Sequence, residues 1–233
     1  MKFLRIVSLL VFTFSSHLLF SQNGDKANEK DIISSLNWKK WSPDVVPVFS
    51  AEESLKQFKV APGFRVELVA SEPMVKDPVF VDWDDEGRMW VGELRTYMRD
   101  LDGTGENERM SRVMVLEDTD KDGVMDKATP FVDDMINVRC IAFVDSGVLV
   151  VESGGLWLCK DKDGDLRCDE RKKLIEFATA AHSNIEHAEN ALHFALDNWM
   201  YNSKSSRKLA WRNGKLIEMP AKGRGQWGMG SDA

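Results

Sequence analysis

"FVDWDDEGRMWVGE" fills residues 80–93, and its reading decides the fold. The stretch, entered through Pro78-Val79, reads as a strand, a turn at Asp85-Glu86-Gly87 and a second strand. The same scheme returns in "IAFVDSGVLVVES" at 141–153 and in "LHFALDNWMYNS" at 192–203. Each copy is an apolar strand, an Asp-containing turn and a second apolar strand that ends in a small or polar residue. The copies lie about 61 and 51 residues apart. "SRVMVLED" adds a further strand, and from Gly63 onward no helix longer than two turns is evident. The expected class is all-β. A unit of roughly 45–60 residues built from four short strands suggests the blades of a β-propeller. A β-sandwich is the alternative, although it would need no internal repeat.

An acidic stretch repeats as well. "EDTDKDGVMDK" (117–127) sets Asp118, Asp120, Asp122 and Asp126 at positions 1, 3, 5 and 9 of a loop. Asp161, Asp163, Asp165 and Asp169 repeat that spacing 43 residues later. Carboxylates so close repel one another unless something neutralises them. Calcium, which takes several oxygens in a flexible loop, would do so. Gly123 stands at position 6 of the first loop, and Val124 at position 7 would offer its backbone carbonyl. Position 12 is Thr129, where an EF-hand has a bidentate glutamate. The second loop has Leu166 at position 6 and Lys172 at position 12, which makes it the poorer match, with Glu170 as a helper. The competing reading is a pair of solvated acidic turns. Bound calcium would be structural, coupling the ion to folding of the turn.

The ends of the chain differ from its middle. "MKFLRIVSLLVFTFSSHLLFSQ" has Lys2 and Arg5, an apolar run from Ile6 to Phe20, and then Ser21-Gln22. This is the pattern of a secretory signal peptide over 1–21, so the chain is expected to be exported, periplasmic or extracellular. An uncleaved anchor is the alternative, but the run of about fifteen residues is short for a bilayer. Residues 22–48 read as a linker with Pro43 and Pro47, and Ser50 to Glu53 form a capping box that starts a short helix. "FRVELVAS" (64–71) alternates like a strand. Among 233 residues 43% are hydrophobic, enough for a core, and a net charge of −7 argues against a nucleic-acid partner. No long apolar run follows residue 22, so no transmembrane segment is expected after cleavage. Cys159 and Cys168 flank the second acidic loop, and Cys140 stands alone. A Cys159–Cys168 disulfide and three buried thiols are both open.

Three histidines cluster in "HSNIEHAENALHFALDNWMYNS". His193 falls on a strand between Leu192 and Phe194 and reads as structural, and His182 lies in a polar connector. His187 precedes the strand where a propeller's inner strand would leave the central channel. Arg139 holds the corresponding place one unit earlier, and Asp77 the one before that.

The stretch from His187 to Tyr201 resembles the His-x4-Leu-x-Phe-x2-Asp-x3-Tyr segment of the soluble glucose/sorbosone dehydrogenases, six-bladed quinoprotein propellers. A branch of membrane-bound dehydrogenases from planctomycete and verrucomicrobial genomes is more similar still. Its pattern is matched by "FSAEESLKQFKVAPGFRVELVASEP", "LEDTDKDGVMDK", "LWLCKDKDGDLRCDE", "EHAENALHFALDNWMYNSKS" and "RGQWGMGSD". The resemblance implies that residues 49–233 are a partial propeller, about the first three to four blades of a C-terminally truncated member. It implies oxidation of a sugar or alcohol, with hydride passing to pyrroloquinoline quinone and electrons going on to a cytochrome c. His187 is the implied general base, and Arg139 and Asn190 line the cofactor channel. The other reading is a calcium-stabilised propeller that binds a glycan or a protein and turns nothing over.

Overall fold

The computed structural model describes residues 48–100, 102–177, 185 and 188–230. The signal-peptide reading, nearly all of the linker, His182 and His187 lie outside the described residues. Among the described residues one turn of helix, α1 (Ala51–Leu55), is followed by twelve strands in three four-stranded antiparallel sheets. The first sheet holds β1 (Pro78–Trp83), β2 (Met89–Glu93), β3 (Ser111–Glu117) and β4 (Lys127–Met135). The second holds β5 (Cys140–Val144), β6 (Gly147–Glu152), β7 (Gly155–Lys160) and β8 (Glu170–Glu176). The third holds β9 (Asn190–Phe194), β10 (Met200–Ser203), β11 (Arg207–Arg212) and β12 (Lys215–Pro220). In all three sheets strand order follows chain order, so every connection within a sheet is a hairpin. No described helix is long and apolar enough to cross a membrane.

The expected hairpins form where the sequence places them. Asp84 caps the β1–β2 turn: its carboxylate accepts the N–H groups of Glu86 and Arg88 at 3.1 and 2.9 Å and the Trp90 indole N–H at 2.8 Å. The β9–β10 turn repeats the backbone pattern. Gly87 N–H donates to the Asp84 carbonyl at 3.0 Å, and Asn198 N–H donates to the Ala195 carbonyl at 3.0 Å. Gly87 (φ 79°) and Asn198 (φ 61°) take the left-handed conformation this turn needs, and those two residue types reach it at least cost.

The second sheet is buried on both faces, which is why β6 reads as a continuous apolar run. Ile141, Val148, Val150 and Cys159 pack with Trp90, Val113, Val115, Phe131, Val132 and Met135 of the first sheet. Cys140, Ala142, Leu149, Val151, Leu156 and Leu158 pack with Leu192, Met200 and Leu209 of the third. Trp90 anchors the first junction, edge-on to Phe131 at 4.7 Å and to Phe143 at 5.2 Å. Each wholly buried aliphatic side chain contributes about 1.5–3 kcal/mol.

Buried glutamates mark a three-dimensional repeat. Glu93 closes β2, and its carboxylate accepts the N–H of Lys76 at 2.8 Å. Glu152 closes β6 and accepts the N–H of Ile136 at 2.7 Å. In both cases the segment ahead of a sheet's first strand docks on the end of its second. Backbone bonds repeat the docking, Leu94 N–H to the Asp77 carbonyl at 3.0 Å and Ser153 N–H to the Ile136 carbonyl at 2.9 Å. The third sheet has buried Ser203 in this place, and its hydroxyl donates to the Gly228 carbonyl at 2.7 Å.

One expected strand is absent. Residues 64–71 are irregular, without a ladder partner. Val69 and Ala70 instead cover the outer face of the first sheet, against Met89, Val91, Met114 and Leu116. The Val69 carbonyl accepts the N–H of Met125 at 2.9 Å. Burial does not follow the alternation of this stretch: residues 64–67 are all exposed, Phe64 at 76%, and only 68–71 are half-buried.

Candidate functional site

The first strands of the three sheets face one cavity of about 610 Å³. Its wall comes from Val79–Asp82 of β1, Arg139–Phe143 at β5, Asn190–Phe194 of β9, and Trp227–Met229. An adjoining hollow of about 560 Å³ shares Val79 and Trp227 and is lined further by Asp77, Tyr97 and Gln226. Two of the positions expected to line a channel, Arg139 and Asp77, therefore open on neighbouring spaces. The third, His187, is outside the described residues.

Arg139 is only 2% exposed. Its backbone N–H donates to the Val151 carbonyl at 2.9 Å, which holds the residue at the head of β5. Its Nη2 donates to the Ser153 hydroxyl at 2.8 Å. Its Nε and Nη1 have no hydrogen-bond partner among the described residues. A buried guanidinium with two donor groups unmet is costly and needs an acceptor. Burial lowers its pKa to about 10, so it remains cationic at neutral pH.

Asn190 lines the same wall, but its amide is committed to the protein. Its Nδ2 donates to the carbonyls of Ala188 and Gln226 at 2.9 and 3.0 Å, and its Oδ1 accepts the Gly228 N–H at 2.8 Å. It holds the 226–228 segment against β9 and shapes the cavity from behind. His193, expected to be purely structural, is part of the cavity wall. Trp227 and Gln226 were not singled out as site residues. Their segment is irregular and carries no periodic signal. Its one local clue is the glycine spacing. Gly225, at φ 63°, approaches Ser203 so closely that a Cβ would lie 2.7 Å from Oγ.

The acidic loops join the third and fourth strands of the first two sheets, spanning 118–126 and 161–169 between the Glu117–Lys127 and Lys160–Glu170 pairs. Asp118 accepts the N–H groups of Lys121, Asp122 and Gly123 at 2.7, 3.2 and 2.9 Å. Asp161 accepts those of Asp163, Gly164 and Leu166 at 3.2, 2.7 and 2.8 Å. Asp122 accepts the Val124 N–H and Asp165 the Arg167 N–H, at 2.8 and 2.9 Å. Asp126 accepts the Thr119 N–H at 3.0 Å, and Asp169 the Lys162 N–H at 2.7 Å. In each loop three carboxylates converge, with one oxygen apiece within 4.8 Å of the others: Asp118, Asp120 and Asp126, then Asp161, Asp163 and Asp169. Asp122 and Asp165 stand outside these clusters. The twelfth positions do not face the loops. Thr129 is in β4 opposite Val115, and Lys172 is in β8 opposite Leu158. Glu170 pairs with Lys162 Nζ at 2.7 Å.

All three cysteines are free thiols, Cys140 and Cys159 buried and Cys168 half-buried. A family model described as "Domain of unknown function (DUF7133)" matches residues 50–232. No curated protein and no solved structure gives a match.

Proposed function

This chain belongs to the DUF7133 family, and we propose that it is an exported, dehydrogenase-like propeller unit that holds an acidic small molecule at Arg139. The three sheets are then successive blades, and the cavity along β1, β5 and β9 is the channel side. The observation that carries this reading is the buried Arg139 guanidinium in a cavity wall, with Nε and Nη1 unmet among the described residues. Its planar fork suits a carboxylate or a quinone oxygen. Pyrroloquinoline quinone, the cofactor implied by the resemblance, bears both groups. When bound, that quinone supplies the hydride acceptor for oxidation of a sugar or alcohol, with electrons passing on to a cytochrome c.

The chain's own residues orient and deprotonate. Arg139 fixes the acidic group. Asn190 keeps Gln226 and Gly228 in the wall by its three hydrogen bonds. Ser153 keeps the guanidinium turned by accepting from Nη2. His187 takes the proton of the substrate hydroxyl as general base. The two acidic loops each hold a calcium ion that stiffens an outer hairpin.

Titration calorimetry of the quinone into wild type and Arg139→Met tests the reading. Binding to wild type and a loss of tenfold or more in the variant are expected, with no fall in melting temperature because the lost charge was buried and partly unmet. A dye-linked assay over a panel of sugars and alcohols, with His187→Ala, then separates chemistry from binding. Quinone binding without turnover would leave the non-catalytic binding module standing. Equal binding by wild type and Arg139→Met would sink the assignment of Arg139.

A further inference from the structure

We propose that Cys159 and Cys168 form a reversible disulfide that clamps the 161–169 loop to the core between the first and second sheets. Cys159 is the penultimate residue of β7 and is wholly buried, packed in the cluster that holds Trp90, Val113 and Phe131. Cys168 ends the loop on the other side and packs against that same cluster. Its backbone N–H donates to the Phe131 carbonyl of the first sheet at 2.7 Å. The two sides of the loop are thus brought together, closed at its base by the Asp169 N–H, which donates to the Lys160 carbonyl at 2.8 Å, and by the Lys160–Glu170 pair, with both thiols on the same core cluster. Cys168 in turn donates to the Glu170 carbonyl at 3.2 Å. Cys140 has no part in this. It packs on the opposite face of the second sheet, among Leu149, Val151 and Met200.

The two thiols differ in a way that suits sequential exchange. Cys168 is half-exposed and Cys159 is not exposed at all. Cys168 is the thiol that a small disulfide in solvent can reach, and Cys159 lies behind it in the core. The oxidant is a small disulfide such as oxidised glutathione. The Cys168 thiolate attacks one of its sulfurs, forming a mixed disulfide and releasing one thiolate, which takes a proton. Cys159 then gives up its proton and attacks the Cys168 sulfur, expelling the second small thiol. Two protein thiols are oxidised and one small disulfide becomes two thiols.

The covalent ring would enclose Asp161, Asp163 and Asp165 and keep Leu166 on the core it touches. The clamp stands on the thiol geometry and needs no cation in the loop. The test uses the full chain, equilibrated in glutathione buffers of increasing oxidation, then alkylated and mapped by mass spectrometry. The three free thiols should fall to one, with fragment ions joining Cys168 to Cys159. The melting temperature should rise by roughly 5–10 °C on oxidation and return on reduction, as closing a short loop implies. Cys168→Ser should keep both remaining thiols and show no redox-linked shift. Three free thiols in the folded protein at every glutathione ratio would overturn the proposal. So would a link through Cys140, or glutathione left stably on Cys168. The wild-type titration decides the matter even if the variant does not fold.

Discussion

The 118–126 and 161–169 loops build one hydrogen-bond cage from different residues. Both need left-handed backbone at their fourth and sixth positions. The first loop meets that need with Lys121 (φ 64°) and Gly123 (φ 95°), the second with Gly164 (φ 83°) and Leu166 (φ 65°). The glycine has moved two places, and a side chain takes the strained conformation in its stead. Surroundings explain how the second loop sustains this. Val124, one residue after the sixth position, is 43% exposed, whereas Leu166 packs against the core between the sheets. Leucine in the left-handed region costs about 1–2 kcal/mol, an amount that partial burial of its side chain can offset. The first loop is therefore shaped by its own backbone, and the second by the core beneath it.

If the cages are equivalent, each should take a calcium ion, and this is the largest effect expected. Titration calorimetry should find two ions per chain. Free calcium at about a hundred times the dissociation constant should stabilise the protein by about 2.7 kcal/mol per loop. Asp118→Ala should remove one ion and Asp161→Ala the other. A single ion, lost only with Asp118→Ala, would mean that the leucine at position 6 does disable the second loop.

Packing should separate the loops next. Leu166→Ala is expected to cost about 1–2 kcal/mol in chelator, since a partly buried leucine loses less than a core one. Val124→Ala should stay within about 0.5 kcal/mol. Equal costs in denaturant titrations would contradict the core-supported reading of the second loop. Glycine replacement tests the backbone side. Among the described residues nothing lies within 4 Å of a Cβ built on Gly123 or Gly164, so conformational strain is what opposes alanine there. Each substitution should cost about 1 kcal/mol. Leu166→Gly should relieve strain yet still destabilise, because the lost contact outweighs the gain.

The same contrast marks what the sequence reveals. The hairpins were legible because Asp-bearing turns interrupt short apolar runs, and those cues act within a few residues. The acidic loops were legible for the same local reason, yet Leu166 was counted against the second one. Its compensation comes from Phe131 and neighbouring side chains, which no spacing reports. "FRVELVAS" misled because its alternating apolar residues have no ladder partner, and Phe64 and Val66 stay exposed. At the cavity, Arg139 was found by its place in the repeat, while its unmet donors are visible only once neighbouring groups are in position. Asn190 shows the reverse: its place was legible, but its commitment to Gln226 and Gly228 depends on a segment about 36 residues away.

Acid should reveal the smallest difference. In the first loop Asp126 is held below the ordinary aspartate value, chiefly by the hydrogen bond from the Thr119 hydroxyl. In the second, slight burial opposes ionisation of Asp161, but the N–H donors of Gly164 and Leu166 outweigh it and lower its pKa. A depressed folded-state pKa gives stability that is present above the unfolded value, about 3.9, and lost as pH falls through the folded one. The melting temperature in chelator should therefore be insensitive to these two groups at pH 5–6 and should fall below about pH 4. Asp161→Asn and Asp126→Asn should each flatten part of that fall while lowering stability at pH 6. Exposure screens both groups, so each change should be modest. A fall unaltered by either substitution would assign the acid sensitivity elsewhere, first to Asp84. That carboxylate resists its own partial burial through bonds from Trp90 and Arg88 that hold its pKa down. The loops would then be alike in being indifferent to their own carboxylates in this range, with their shape set by backbone and packing alone.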